Sequence, residues 1–208
     1  NLSFVNADYH ITPANVTLTT NNASKTFGAD DTRNYGGYSS DFASRNNVSY
    51  YDAAGNLRND GPVAANFSGN HGRAAGEDVG SYAIVKGSLH DANLNIVGVN
   101  QGNLAITPVS ATVTLASSAK TYGTSDAADT YGYSDDFTDR NNVSWYDTTG
   151  NLHTDGSVAL QLAGHAGRDA GENIGSHTVG KGSLKDASAS HNFNLSFNNG
   201  TLSIAPAN

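Results

Sequence analysis

The sequence predicts an all-β fold of two tandem, small, sandwich-like modules set end to end, on three observations. The chain repeats itself at an offset of 95 residues over nearly its whole length. Each copy carries short alternating or β-branched runs separated by Gly, Asn and Asp clusters, the pattern of strands and turns. No window longer than about 11 residues has the 3.6-residue period of an amphipathic helix.

The repeat sets the boundaries. Ser24-Lys25-Thr26-Phe27-Gly28 returns as Ala119-Lys120-Thr121-Tyr122-Gly123, and Arg45-Asn46-Asn47-Val48-Ser49-Tyr50-Tyr51-Asp52 returns as Arg140-Asn141-Asn142-Val143-Ser144-Trp145-Tyr146-Asp147. Ala75-Gly76-Glu77-Asp78-Val79-Gly80-Ser81 returns as Ala170-Gly171-Glu172-Asn173-Ile174-Gly175-Ser176. Asn1-Leu2-Ser3-Phe4 matches Asn194-Leu195-Ser196-Phe197, so residues 1–13 read as the tail of a preceding repeat. Module 1 is then 14–108 and module 2 is 109–208. A period of 95 exceeds the roughly 20–50 residues of a solenoid coil and suits independent beads, each with its own core. Little chain separates Pro108 from the next strand, so the modules are expected to stack as a rod.

The elements follow in order along the second copy. Thr112-Val113-Thr114-Leu115 and Val143-Ser144-Trp145-Tyr146 read as strands, the latter closed by a turn at Gly150-Asn151. Val158-Ala159-Leu160-Gln161-Leu162 and Ser176-His177-Thr178-Val179 read as two more. Phe193-Asn194-Leu195-Ser196-Phe197 and Thr201-Leu202-Ser203-Ile204 flank Asn198-Asn199-Gly200, which predicts a hairpin. One helical turn is open to Asp135-Asp136-Phe137-Thr138-Asp139-Arg140, and a β-grasp-like module with one short helix is the alternative fold.

Composition narrows the function. The net charge is −8 with 11 Lys and Arg against 19 Asp and Glu, which argues against nucleic-acid partners and against binding an anionic membrane unaided. Cysteine is absent, which removes disulfides, thiolate metal sites and cysteine nucleophiles. No apolar run approaches the 18 or so residues of a membrane helix, so no membrane insertion is expected. Methionine is absent even at position 1, so the chain reads as a piece of a longer one.

The recurring charged and glycine positions are Lys25, Gly28, Glu77 and Gly80 in one copy and Lys120, Gly123, Glu172 and Gly175 in the other. With Arg73 and Arg168, the two glutamates read as structural ion pairs that pin a loop, and the glycines as positive-φ or close-packed positions. An isopeptide cross-link of the kind that uses Lys, Asn and an acid is a lesser reading of Lys25 or Lys120 that a mass measurement would reveal. The seven histidines do not recur in register, so no shared general base is expected, and no catalytic, cofactor-binding or metal residue is assigned. Asp30-Asp31 and Asp135-Asp136 are the only candidates for calcium, and surface turns explain them more simply. Asp41/Asp136 and Asp52/Asp147 are the recurring carboxylates a glycosidase would need. Tyr50, Tyr51, Trp145 and Tyr146 lie on equivalent strands and are the candidates to face a ligand such as a glycan.

Lys120-Thr121-Tyr122-Gly123, Ala170-Gly171-Glu172-Asn173-Ile174-Gly175-Ser176 and the closing residues 193–206 resemble the MBG and YDG families of bacterial surface repeats. The resemblance covers both copies, departing at Phe27, where the motif has Tyr, and at His177. It implies a non-enzymatic repeat region of a secreted, haemagglutinin-like adhesin at the Gram-negative cell surface. Its implied role is a stalk that projects a binding region in attachment or biofilm formation, with an outer-membrane transporter and neighbouring repeats as partners. Direct, multivalent binding of host or matrix glycans by the repeats is the alternative.

Overall fold

The computed structural model of the chain describes residues 7–126 and 131–207. It is all-β, and among the described residues there is no helix. Module 1 contributes β1 (Ala14–Thr20), β2 (Ala23–Thr26), β3 (Tyr38–Ser40), β4 (Ser49–Tyr51), β5 (Leu57–Asn59), β6 (Gly72–Arg73), β7 (Gly80–Val85), β8 (Leu94–Asn100) and β9 (Gly102–Thr107). Module 2 contributes β10 (Val109–Leu115), β11 (Ser118–Thr121), β12 (Tyr133–Asp135), β13 (Arg140–Tyr146), β14 (Leu152–Val158), β15 (Leu162–Ala163), β16 (Gly167–Arg168), β17 (Gly175–Gly180), β18 (Lys185–Asp186), β19 (Phe193–Asn198) and β20 (Gly200–Ala205).

Each module has the same two sheets. The first is three-stranded, β3-β1-β8 or β12-β10-β19, with its first and last long strands parallel. The second is four-stranded, β2-β9-β7-β6 or β11-β20-β17-β16. Strict alternation along β9 and β20 turns Leu104, Ile106, Leu202 and Ile204 inward. In module 2 these inner residues meet Val113 and Leu115 of the other sheet and Val179 and Leu184. In module 1 buried Thr20 stands where module 2 has Leu115, and its hydroxyl ties the sheets by donating to the Ile84 carbonyl (3.0 Å) and accepting from Gly102 N–H (2.8 Å).

The strands predicted around Asn198-Asn199-Gly200 form, but they are not a hairpin. β19 pairs with β10 in one sheet, and β20 pairs with β11 and β17 in the other. The chain turns a corner here, beside the parallel corner between β10 and β11. Gly200 does not adopt the positive φ a tight hairpin would use. Its role is close approach: a Cβ there would run into the Leu115 and Ala116 carbonyls, as one on Gly102 would strike Thr20 and Asn21. Alternation fixes which face is buried and leaves the pairing partner open.

Two further expectations change. Asp135-Asp136 forms no helical turn: the Asp135 carboxylate accepts from Phe137 N–H (3.0 Å), and Asp136 accepts from Thr112 N–H (2.6 Å). The strand expected at Val158-Ala159-Leu160-Gln161-Leu162 is split, Val158 ending β14 and Leu162 opening β15. Of the preceding-repeat tail, residues 1–6 lie outside the described residues. Residues 7–13 form no strand, and Ile11 is exposed where its counterparts Ile106 and Ile204 are core.

The separate cores expected of beads are present only in part. Val16, Leu18, Phe67, Leu89 and Leu94 form a cluster private to module 1. A larger one is shared: Phe27, Ile84, Leu104 and Ile106 of module 1 pack with Ala111, Val143, Val158 and Phe193 of module 2. Pro108 is the single residue between β9 and β10, which leaves the modules pressed together.

Candidate functional site: the joint between the modules

Lys25 is the last residue but one of β2, close to the turn at Gly28 (φ +78). Its ammonium reaches Asp31 (2.8 Å), Glu77 (2.6 Å) and the Ala29 carbonyl (3.0 Å). Arg73 on β6 donates from Nε to the other Asp31 oxygen (2.7 Å), from Nη2 to Glu77, and from Nη1 to the Ala74 and Gly76 carbonyls (2.9 and 2.5 Å). Tyr35 donates its hydroxyl to Asp31 (2.7 Å). Two cations and two anions therefore alternate in a closed, neutral ring. Burial pushes the Asp31 carboxyl up, but hydrogen bonds from Arg73, Lys25 and Tyr35 outweigh it and hold the group below the ordinary carboxylate range. Burial and the adjacent Asp31 push the Tyr35 phenol well up.

Module 2 builds the same ring. Lys120 reaches Asp126 (2.7 Å) and Glu172 (2.5 Å); Arg168 grips Asp126 (2.7 Å) and Glu172; Tyr131 donates to Asp126 (2.8 Å). Recurring Lys, Glu and Arg were legible as ion pairs. Asp31/Asp126 and Tyr35/Tyr131 were missed, although both recur, the tyrosines with a one-residue shift. Both lysines face ionised carboxylates. Each ammonium meets two carboxylates and a backbone carbonyl, an ion-pair arrangement rather than one that sets Lys against the Asn of a Lys–Asn–acid cross-link.

What differs is the cover. The hairpin β13–β14 of module 2 leans back over the module 1 ring. Arg140 donates to the Gly28 carbonyl (2.5 Å) and pairs with Asp30 (2.8 Å). Asp30 also accepts from Ser144 N–H (2.8 Å), and Asp31 N–H donates to the Ser144 carbonyl (2.9 Å), so a strand edge is read in both directions. Arg140 and the Ser144 amide bring the Asp30 carboxyl down to about 2. Trp145 closes the ring from above: the Arg73 guanidinium lies between Tyr82 and Trp145, 5.3 Å from each ring centroid, and His153 stacks on the indole at 4.7 Å.

Apolar contacts flank this polar seam. Phe193 takes Phe27 on one side and Phe137 on the other, edge-on, at 5.4 and 4.9 Å. Asn192 accepts from Val79 N–H and donates to Asp78, both at 2.8 Å. At the hairpin tip Asp147 caps its own turn through Thr149 and Asn151 N–H, and Asn70 donates to the Gly150 carbonyl (3.3 Å). Gly72 is necessary here, because a Cβ would collide with the Asp147 carbonyl.

Among the described residues the module 1 hairpin β4–β5 covers no such ring. Val48 and Val63 are 37% and 40% exposed, where their counterparts Val143 and Val158 are at 0% and 3%. Correspondingly, Tyr122 on the uncovered module 2 ring is 51% exposed against 9% for Phe27. Tyr50 and Tyr51 are exposed, while Trp145 and Tyr146 are half-buried at the joint. The four aromatic candidates thus form no exposed pair that recurs. Gly28, Gly123 and Gly175 take positive φ as expected, but Gly80 does not.

The carboxylate pairs are committed elsewhere. Asp41 and Asp136 each cap a strand by accepting from Thr17 and Thr112 N–H, and Asp52 and Asp147 each cap a hairpin turn. Among the described residues no group of three or more His, Asp or Glu is gathered as a metal site. Comparison of the chain with protein-family models, with curated proteins and with solved structures finds no match.

Proposed function

We propose that the chain is a non-enzymatic repeat segment of a secreted bacterial surface adhesin and acts as a stalk, stiffened at each repeat junction by a hairpin locked into the preceding module. The surface location and adhesin context rest on the repeat resemblance. The stiffness rests on one observation, the burial of β13–β14 against the module 1 ring with a core shared across the junction. A spacer needs this kind of joint, since a one-residue linker with a free hinge would let the array fold back. Glycan binding by the repeats draws less support, because only one hairpin bares its aromatic pair.

The chain has no cysteine, so spin labels can be placed uniquely. With labels at exposed Ser24 and Ser203, pulsed dipolar spectroscopy at low protein concentration should give one narrow distance distribution. A broad distribution would show hinged modules and overturn the stalk reading.

A further inference from the structure

We propose that His71 is an acid-sensitive latch on the joint: with its imidazole neutral, the turn that carries Asn34 and Tyr35 stays shut beneath the module 2 hairpin, and protonation opens the turn and frees the hairpin. The loosening of the stalk rests on the reading above; the opening of the joint does not.

His71 directly precedes β6 and is fully buried, against the rings of Tyr35 (6.5 Å, stacked) and Tyr38 (5.3 Å, edge-on). Its Nδ1 lies 3.0 Å from the Asn34 carbonyl, which can only accept, so Nδ1 carries the proton of the neutral ring. Nε2 is buried too and has no hydrogen-bond partner among the described residues. A second proton would sit there as a buried N–H with nothing to receive it. Burial accordingly holds the imidazole below its ordinary pKa.

The carboxylates on the elements packed around His71 are engaged. Arg73 and Lys25 take Asp31 and Glu77, Arg140 takes Asp30, and Thr17 N–H takes Asp41. On the covering hairpin Asp147 meets His153 (2.9 Å), so a proton on His153 finds an anion and one on His71 does not. The other charged neighbours are cations: Arg33, which donates to Asn70 (2.9 Å), and exposed Lys86, next to the Gly87 that packs on the His71 backbone.

The turn is the part that yields. Asn34 and Tyr35 both take positive φ, +62 and +42, which non-glycine residues seldom adopt. The Asn34 side-chain oxygen is buried without a partner, so closing the turn strands a second polar atom. The turn is also tied to the hairpin. The Tyr35 hydroxyl that donates to Asp31 meets the Tyr146 backbone, and Gly72, next to His71, lies under the Asp147 carbonyl. An imidazolium that turns out to water disturbs both contacts. Module 2 has Ala166 at this position and lacks the latch.

Hydrogen exchange at the Asp31 amide, which donates to the Ser144 carbonyl across the joint, reads the opening. The closed form binds fewer protons than the open one, so the joint is strongest above the ordinary histidine pKa and weakens as pH falls through it. After correction for the intrinsic rate, protection should fall about tenfold or more between about pH 7 and pH 5, and one proton limits the fall to about thirtyfold. Asp30, at about 2, stays ionised over this range. His71→Gln can still donate to Asn34 and cannot charge, and its protection should stay flat. If that variant fails to fold, the ring nitrogens of His71 in the unaltered chain decide. Identified by contact with the Tyr38 ring, they should remain those of a neutral Nδ1–H imidazole wherever the Asp31 amide is protected. Four results would each overturn the proposal: no protection at neutral pH, full protection kept at about pH 5, a folded His71→Gln that responds as the unaltered chain does, or a charged His71 in a protected joint. The Ser24–Ser203 distance distribution at neutral pH tests stiffness separately. A broad distribution there, with the Asp31 amide protected, removes the stalk and leaves the latch.

Discussion

Lys25, Asp31, Arg73 and Glu77 make the same network as Lys120, Asp126, Arg168 and Glu172, yet one is dry and the other wet. Asp31 is fully buried at its side chain, while Asp126 is 30% exposed. The geometry hardly changes between them: the Arg–Asp bond is 2.7 Å in both, and the Tyr–Asp bonds are 2.7 and 2.8 Å. The neighbouring hairpin therefore does not create the ring. It covers a ring already closed by its own module. A self-neutralised ring suits this, since covering it strands no net charge, and each cation keeps its hydrogen bonds when water leaves.

The largest contrast should come from breaking each ring at its arginine. Arg73→Met leaves Asp31 and part of Glu77 buried without their main partner and is expected to cost about 3–5 kcal/mol. Arg168→Met leaves its carboxylates in reach of water and should cost about 1 kcal/mol or less. Paired denaturant titrations measure both. Equal costs would mean that the covering hairpin does not dehydrate the first ring.

The sequence repeat carried much of this. The 95-residue offset put Lys, Arg and Glu of the two rings in register, and alternation located β10, β17, β19 and β20. The short strands β11 and β12 were not legible. Ser118–Thr121 alternates no large apolar residue, and its pairing with β20 comes from a distant part of the chain. The joint was the main omission. Its defining contacts link residues more than 100 apart, as in Arg140 with Asp30, and comparing copies treats them as equivalent when only one has a neighbour in place. A signal was present in Val48/Val143 and Val63/Val158, apolar pairs flanking a polar hairpin with no module core of its own to fill.

Glycines sharpen the comparison at the hairpin tips. Gly55 and Gly150 both take positive φ, +78 and +83, so an alanine at either incurs similar backbone strain. Around Gly55 a Cβ meets nothing within 4 Å. At Gly150 it falls 2.7 Å from the Asn70 carbonyl and the Ser88 amide of the other module. Gly150→Ala should therefore cost about 1–3 kcal/mol more than Gly55→Ala and broaden the Ser24–Ser203 distance distribution, which Gly55→Ala leaves narrow. Equal effects would place the hairpin tip away from module 1.

The smallest contrast lies at Asp30, a charged joint residue that module 2 replaces, with Ser125. Its folded pKa of about 2 lies below the ordinary 3.8, because Arg140 and the Ser144 amide favour the carboxylate. A depressed pKa means that its contribution is present above about pH 4 and is lost as pH falls through 2. Asp31 is depressed too and acts in the same direction. Hydrogen exchange at the Ser144 amide follows this bond directly and should accelerate between about pH 4 and pH 2 beyond the intrinsic rate change. Asp30→Ser should weaken the joint at neutral pH by about 0.5–1 kcal/mol, given that the Arg140 pair is half exposed. It should also remove Asp30's share of the acid response and leave that of the Asp31 ring. If Asp30→Ser changes neither the neutral-pH protection nor its fall in acid, the Arg140–Asp30 pair is incidental. The joint would then be held by the Phe27–Phe193–Phe137 stack and the covered ring alone.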